Sequence, residues 1–223
     1  MCGRFTLGAS ATDLASQFEL ADLPAWTPHY NIAPTQEVLA VVKMADTTER
    51  QARLLRWGLV PLWAQGPAVG SRMINARAET VATKPAFRRA FQERRCLLLA
   101  DGFYEWKKEG RHKKPFHIRL RDGRPFAFAG LWERWVPPDG QPMDSCTIIT
   151  TVANDLIRPL HVRMPVILAA DEYDLWLDLG VREPERLQPL LRPYPSSEMM
   201  ATPVSIQVNS PANDMPDCIE PLT

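Results

Sequence analysis

The second residue of the chain, Cys2 in the opening stretch MCGRF, carries the most distinctive chemistry in the sequence. Removal of Met1 would leave Cys2 with a free α-amine beside its thiol. An α-amine titrates near pH ~8 and a thiol near ~8.5, so both are nucleophilic close to neutral pH, and a cation such as Arg4 favours the thiolate. Cys2 could attack an amide with the amine as its base, or condense with an aldehyde to a Schiff base that the thiol closes to a thiazolidine. The position of Cys2 permits both reactions.

Two polar segments offer groups that would assist such a nucleophile. In INARAET, the residues Asn75, Arg77 and Glu79 recur with a period of two, so they face one side of an extended segment. That side is either a solvent-facing surface or one wall of a polar site. In GFYEW, Glu105 lies between large aromatic residues, where partial desolvation would suit its carboxyl group to acid–base work near neutral pH.

A third segment, PLHVRMPVIL, places His161 and Arg163 before an apolar run. A histidine titrates near neutral pH and can carry protons, although single histidines are more often structural. Arg163, two residues later, would reach the same side and hold a phosphate. Trp57 and Trp63 lie in the most basic third of the chain, which suits base stacking, whereas tryptophan in a strand is more often part of the core.

Charge is unevenly distributed along the chain, although the formal net charge is zero. Residues 50–124 contain 18 Lys and Arg against 6 Asp and Glu, so the remainder contains 8 against 20. This pattern is either a solvated basic face or a phosphate-binding surface opposed by an acidic one.

The cysteines and histidines show no metal-binding pattern. The four cysteines form no CxxC pair, and His29, His112, His117 and His161 have no ligand spacing. We therefore expect no metal, no cofactor and no disulfide framework. Cys96 and Cys146 are expected to be buried, and Cys218 has no evident role. No apolar run reaches the ~18 residues of a membrane span, and the N-terminus lacks the layout of a signal peptide, so we expect a cytoplasmic protein.

Short strands with a few helices between them must position these residues. Runs rich in β-branched and aromatic residues predict strands over 37–43, 53–60, 96–106, 115–120, 125–132, 146–153, 164–168 and 204–208. Capping and proline signals predict helices over 10–20, 84–93, 171–179 and 183–191.

The pair Asp122-Gly123 predicts a hairpin between the strands at 115–120 and 125–132. No linker, repeat or low-complexity tract divides the chain. The sequence therefore predicts one β-rich α+β domain over residues 1–223.

An ordered set of motifs resembles the SOS-response-associated peptidase (SRAP) family of abasic-site processing proteins. The matching stretches are MCGRF, YNIAPTQ, RWGLVPLWA, INARAET, ADGFYEWKK, TTVANDLIRPLHVRMPVIL and VSIQVN, and they run in family order across nearly the whole chain. The resemblance implies a single domain of curved, mostly antiparallel, barrel-like sheets with short flanking helices.

The same resemblance implies that Cys2, after autoproteolytic removal of Met1, crosslinks to the ring-opened aldehyde of an abasic site in single-stranded DNA. A thiazolidine would remove the carbonyl that activates the strand for β-elimination. Asn75 would orient the sugar and hold the N-terminal strand. Glu105 would act as acid and base in lyase-like Schiff-base chemistry, and His161 would move protons during ring opening and reversal.

The resemblance also implies a DNA-binding surface. Arg4, Arg77 and Arg163 would hold flanking phosphates, with Thr150 a weaker candidate, and Trp63 would stack against the bases. Such contacts position a strand without reading its sequence. Val162 stands where an acidic residue is expected in many relatives, which leaves the orientation of His161 open.

Two other functions remain compatible with the residues. An N-terminal-cysteine amidohydrolase or glutamine amidotransferase also matures to a leading Cys-Gly, but no distinct motif predicts a glutamine pocket. A non-catalytic single-stranded-DNA binder would use the basic face and the tryptophans, and Cys2 would be incidental. In the leading interpretation we expect a monomer that binds single-stranded DNA and acts in the cytoplasm, near the nucleoid in a bacterium.

Overall fold

The computed structural model describes residues 2–44, 47, 49–137 and 140–222, and within them thirteen strands form two sheets. In chain order the strands are β1 (Phe5–Leu7), β2 (His29–Ile32), β3 (Glu37–Val42), β4 (Gln51–Trp57), β5 (Asn75–Arg77), β6 (Arg95–Ala100), β7 (Gly102–Glu109), β8 (His112–Leu120), β9 (Phe126–Trp135), β10 (Met143–Val152), β11 (Arg163–Pro165), β12 (Ile167–Leu168) and β13 (Met199–Pro203).

The two sheets differ in closure. The smaller sheet has five antiparallel strands in the order β13-β8-β7-β1-β2. In the larger sheet β9 pairs with both β6 and β10, so that β10, β4, β3, β6 and β9 close into a barrel. Closure removes the exposed strand edges. Strands β5 and β11 pair with β10, and β12 pairs with β9. The predicted β-rich α+β architecture is confirmed.

The helices of the described residues are short. They are α1 (Ala11–Phe18), α2 (Arg88–Glu93), α3 (Tyr173–Leu177) and α4 (Pro184–Leu187), with 3-10 helices at Pro67–Arg72, Ala170–Glu172, Gln188–Leu190, Ser196–Glu198, Ile206–Asn209 and Pro216–Ile219. Ser10 caps α1, since its side chain accepts a hydrogen bond from the Asp13 backbone N–H at 3.2 Å. The left-handed Glu19, with φ of 55°, ends α1.

The hydrophobic core lies between the two sheets. Phe5 of β1 packs edge-on against Trp57 of β4 and Phe128 of β9, with ring centroids 5.1 Å and 5.7 Å apart. Burial of each such side chain stabilises the fold by roughly 1.5–3 kcal/mol. Trp57 is fully buried and its indole N–H donates to the Ile74 carbonyl at 2.9 Å, so it belongs to the core and is not a base-stacking residue.

Several basic residues of the 50–124 segment are used inside the fold. Arg50 pairs with Glu19 at 3.2 Å and with Asp174 at 3.1 Å, and Arg94 pairs with Glu133 at 3.1 Å. All three acidic partners come from the acidic remainder of the chain, so folding neutralises part of the segregated charge.

Arg95 is also used inside the fold, where it binds backbone carbonyl groups and not acidic side chains. Its side chain is fully buried and donates to five backbone carbonyl oxygens, those of Phe91, Gln92, Trp176, Asp178 and Val181. Burial lowers the pKa of Arg95 to about 10. Four of these carbonyls, all but that of Val181, lie in or directly after the last turns of α2 and α3, so Arg95 stabilises the helix ends and is not part of a basic surface.

Two local predictions are wrong. The strands β8 and β9 do not pair with each other, because β8 lies in the smaller sheet and β9 in the barrel. The turn at Asp122-Gly123 does form, with Gly123 at φ of 74°, but it carries the chain from one sheet to the other. The segment 204–208 is not a strand, since a 3-10 helix covers Ile206–Asn209.

Other boundaries differ because the chain changes sheets inside an apolar run. The run at 96–106 is interrupted at Asp101, which separates β6 in the barrel from β7 in the smaller sheet. Strand β4 ends before Gly58, whose φ of 126° is disfavoured for residues with a side chain. The helix predicted at 84–93 begins only at Arg88, after a series of turns.

Candidate active site

Pairing between β1 and β7 places Cys2 next to Glu105. Phe5 lies opposite Phe103, and the Tyr104 backbone N–H donates to the Arg4 carbonyl at 2.9 Å, so residues 2–4 run beside the segment that carries Glu105. Cys2 is fully buried. Burial raises the pKa of the Cys2 thiol well above its usual range, and the negative charge of Glu105 raises it further. The thiol is therefore protonated at neutral pH in this environment.

Asn75 joins the barrel to the N-terminal segment. It begins β5, in parallel register with Ile148 of β10, and its Nδ2 donates to the Cys2 carbonyl at 2.8 Å. The Oδ1 atom of Asn75 is buried and has no hydrogen-bond partner within the described part of the chain. A buried amide oxygen without a partner is costly, so Oδ1 is suited to accept a hydrogen bond from a bound molecule.

Glu105 and His161 line one pocket of about 420 Å³, together with Trp106, Lys113 and Asn209. Glu105 comes from β7 and lies opposite Phe116 of β8, and its side chain is buried. His161 comes from the turn before β11. The pocket thus brings together two sequence-predicted residues that are more than fifty positions apart in the chain, and both are of types that transfer protons.

The ring orientation of His161 is set by its own backbone. The Arg163 N–H donates to His161 Nδ1 at 3.0 Å, and the Arg163 carbonyl oxygen lies 3.2 Å from the same ring nitrogen. Val162, between them, is 71% exposed and takes no part in this contact. A local hydrogen bond therefore orients His161 without an acidic residue at position 162.

Arg4 is held by polar atoms from the C-terminal part of the chain and from β2. Its Nη1 donates to Asn31 Oδ1 at 2.7 Å and to the Val208 carbonyl at 2.8 Å, and its guanidinium carbon lies 6.0 Å from the Trp106 ring centroid. Its Nε is buried without a hydrogen-bond partner in the described residues. Arg4 therefore adjoins the pocket through Trp106 while part of its donor set is already occupied.

The end of β10 gathers three other predicted residues. Thr150 lies opposite Arg77 of β5 in parallel register, and opposite Pro165 of β11 on the other side. Arg77 is exposed, whereas Thr150 is fully buried and its hydroxyl lies 3.2 Å from the Ala76 carbonyl, to which it donates. A buried hydroxyl in this position cannot reach a phosphate directly.

Arg163 makes a bidentate ion pair with Glu79. Its Nη1 and Nη2 donate to the two carboxylate oxygens of Glu79 at 2.5 Å and 3.0 Å, and Nη2 also donates to the Thr150 carbonyl at 2.5 Å. The hydrogen bonds from Arg163 lower the pKa of the Glu79 carboxyl group. The polar segment INARAET thus holds the main chain of Cys2 through Asn75 and anchors Arg163 through Glu79.

Trp63 stands apart from these groups. It is 63% exposed, follows β4 in a loop, and is not among the residues that line the pocket of Glu105 and His161. Sequence reasoning did not select Lys113 or Asn209, which do line it. Asn209 ends the VSIQVN motif, so the motif pointed to this residue, whereas Lys113 had no signal beyond its charge.

The described residues contain no group of three His, Cys, Asp or Glu side chains arranged to hold a metal ion. Among them, no helix has the length and apolar character needed to cross a membrane. The four cysteines are all reduced and buried, as expected for Cys96 and Cys146.

Comparisons with known proteins agree with the motif order. The profile of a family described as SOS response associated peptidase (SRAP) matches residues 1–211. The chain is 45% identical over 224 residues to the abasic site processing protein YoqW of Bacillus subtilis strain 168, covering 99% of each chain. It is 32% identical to the abasic site processing protein HMCES of Gallus gallus, covering 100% of this chain and 78% of that one.

Solved structures show the same fold. A crystal structure of a protein from Bacteroides thetaiotaomicron matches with a TM-score of 0.89 at 25% identity, covering 100% of both chains. Another, from Bordetella bronchiseptica, matches with a TM-score of 0.79 at 28% identity, over 92% of this chain. With the profile match and the full-length relatives, these likenesses establish that the chain belongs to the SOS response associated peptidase (SRAP) family.

Proposed function

We propose that this protein processes abasic sites in single-stranded DNA by forming a covalent thiazolidine between Cys2 and the aldehyde of the opened sugar. The observation that carries the proposal is the grouping of Cys2 with three polar residues. Asn75 binds the Cys2 main chain, Glu105 acts on the Cys2 thiol electrostatically, and His161 shares a pocket with Glu105. The relatives named above as abasic site processing proteins support the same substrate.

The reaction consists of two bond-forming steps. The α-amine of Cys2 adds to the aldehyde carbon, and water leaves as the imine forms. The thiol then adds to the imine carbon: the S–C bond forms, the π electrons of C=N move to nitrogen, and nitrogen receives the thiol proton. One water is lost per adduct. The product lacks the carbonyl that acidifies the neighbouring C–H bond, so β-elimination of the strand is suppressed.

Glu105 and His161 would supply the proton transfers. The Cys2 thiol is protonated before reaction, because burial and Glu105 both raise its pKa. A cationic iminium beside the thiol would lower that pKa, and Glu105 would relay the thiol proton to the nitrogen. His161 Nε2–H would donate to the ring oxygen as the sugar opens, and Asn75 Oδ1 would accept from a sugar hydroxyl.

DNA would be held mainly through its phosphates. Arg77 is exposed at the end of β5 and would contact a phosphate directly. Arg163 would do so through exchange with Glu79, and Arg4 through the donors that Asn31 and the Val208 carbonyl leave unoccupied. Thr150 would act indirectly by holding Arg163. Trp63 would stack against bases outside the pocket.

The proposed chemistry requires that Met1 be removed, because an acylated nitrogen cannot form the imine. Met1 lies outside the described residues. We propose that the groups around Cys2, Glu105 above all, assist hydrolysis of the bond between Met1 and Cys2. All the groups involved belong to one chain, so a monomer suffices.

Intact mass spectrometry tests the proposal. We expect the purified protein to have lost Met1, and to gain the mass of a single-stranded oligonucleotide minus one water after incubation with that oligonucleotide bearing one abasic site. The adduct should survive without borohydride, and Cys2→Ala should form none. Loss of Met1 without any adduct would overturn the proposal, and hydrolysis of glutamine by the same sample would instead establish an amidohydrolase.

A further inference from the structure

A basic hairpin extends from the pocket of Glu105 and His161. It joins β7 to β8 and has the sequence KKEGRHKK over residues 107–114, with Gly110 at φ of 61° in the turn. Five of these residues are Lys or Arg and one is Glu, and all but Lys107 are exposed. None of the residues proposed above to bind DNA lies on this hairpin.

The register of the hairpin sets like charges against each other. Lys108 lies directly opposite Lys113, and Lys107 directly opposite Lys114. Positive residues in directly opposed positions repel, which weakens a hairpin unless an anion lies between them. Because side chains alternate across a strand, the two lysine pairs lie on opposite faces of the hairpin.

The two faces differ in what their lysines contact. Lys107 pairs with Glu109 at 3.1 Å, and the Nζ of Lys114 lies 5.9 Å from the Phe116 ring centroid. Neither Lys108 nor Lys113 has an ion pair or a side-chain hydrogen bond with any residue that the structure describes. The repulsion on the face of Lys108 and Lys113 is therefore left uncompensated by the protein.

Lys113 connects this uncompensated pair to the candidate active site. Lys113 lines the pocket together with Glu105 and His161. Trp106, the residue before the lysine pairs on β7, lines it as well, and its indole N–H donates to Asn209 Oδ1 at 2.8 Å. A strand that occupies the pocket would therefore lie within reach of Lys113.

We propose that Lys108 and Lys113 form a phosphate clamp that binds the backbone of the DNA strand occupying the pocket. This inference rests on the proposed function, since it takes the ligand to be that strand. A phosphate between the two ammonium groups replaces their repulsion with two attractions. The clamp carries no base contacts, so it adds affinity without sequence preference.

The hairpin itself provides a matched control. The double variant Lys108→Gln/Lys113→Gln and the double variant Lys107→Gln/Lys114→Gln remove the same charge from the same element on opposite faces. Both are made in a Cys2→Ala background, so that equilibrium binding of an undamaged single-stranded oligonucleotide is measured without covalent capture. Fluorescence anisotropy over a series of salt concentrations gives the affinity and its salt slope.

For the first variant, loss of two phosphate contacts should reduce the salt slope by about 1.4, at ~0.7 per contact, and should weaken binding roughly 25-fold at 0.1 M salt. The second variant should change the slope by much less. If both variants lost the same affinity, the effect would be one of net charge and not of a clamp. If the first variant lost no affinity, the clamp would be refuted. If the Cys2→Ala protein bound polyglutamate as tightly as it binds the oligonucleotide, the ligand of Lys108 and Lys113 would instead be an acidic protein.

The proposed function is tested separately, by adduct formation in the Cys2-containing forms of both variants at saturating DNA. We expect both forms to yield the adduct, the Lys108→Gln/Lys113→Gln form only at a higher DNA concentration than the unmodified protein needs. If the Lys108→Gln/Lys113→Gln variant shows no specific loss of DNA binding while adducts still form, only this inference is refuted. Adducts that never form, in any variant, would refute the proposed function while the binding data still decide whether the hairpin binds DNA.

Discussion

His117 of β8 ties β1, the strand that follows Cys2, to a strand of the smaller sheet with which β1 does not pair. Its Nε2 lies 3.2 Å from Thr6 Oγ1, and the Thr6 hydroxyl donates to Asp101 at 2.5 Å. Since the Thr6 proton goes to Asp101, the Thr6 oxygen accepts from His117, and Nε2 carries the proton of the neutral ring. Burial lowers the pKa of His117 to about 4, and the positive charge of Arg119 acts in the same direction.

This low pKa makes folding stability depend on pH. As pH falls, the unfolded chain binds a proton near pH 6.5 and the folded chain only near pH 4. The stability that the fold gains from a neutral His117 is therefore fully present above pH 6.5 and is lost as pH falls toward 4. At ~1.36 kcal/mol per pKa unit, the loss is about 3 kcal/mol at pH 4 and roughly 3.4 kcal/mol when complete.

The variant His117→Gln removes the titrating ring and keeps an N–H donor for Thr6. Urea unfolding near neutral pH and at pH 4 measures the free energy of unfolding of both proteins. We expect the unmodified protein to lose about 3 kcal/mol more than the variant. Asp101, whose pKa is raised by burial, acts in the opposite direction in both proteins and cancels in the difference. Equal losses in the two proteins would refute the reasoning.

Four substitutions test the site itself. Asn75→Ala removes the hydrogen bond to the Cys2 carbonyl and should slow adduct formation at saturating DNA by up to ~10²-fold, as measured on denaturing gels; an unaffected rate would remove its positioning role. Glu105→Gln should slow the same step by ~10²-fold or more without weakening DNA binding, and a normal rate would exclude acid–base catalysis by Glu105. His161→Ala should slow adduct formation or reversal, and normal kinetics in both directions would make His161 structural. Arg77→Ala should weaken binding of intact and abasic strands alike and lower the salt slope by ~0.7, whereas dependence on base sequence would contradict a phosphate contact.

Strand positions were predictable where the local pattern alone decides them. The runs at 37–43 and 115–120 fall within a few residues of β3 and β8. β-branched and aromatic residues favour extended backbone regardless of partner. The very short strand β1 was missed, because three residues carry too little pattern and are extended only through pairing with neighbouring strands.

Partner choice could not be predicted from local signals. Asp122-Gly123 makes the expected turn, yet β8 pairs with β7 and β13 while β9 joins the barrel. A turn depends on the φ and ψ angles of two residues, whereas pairing depends on which apolar faces the whole chain can bury together. The same reason explains why one apolar run was divided at Asp101 between two sheets.

For the site, the amino-acid sequence alone determined which residues are candidates for the chemistry, because residue type and motif order single out Cys2, Asn75, Glu105 and His161. Only the tertiary structure decided how they act on one another. The pairing of β1 with β7 buries Cys2 and places Glu105 close enough for its negative charge to raise the pKa of the thiol. Burial, charge and hydrogen bonds fall off within a few ångströms, so their effects depend on neighbours in space that the order of residues does not specify.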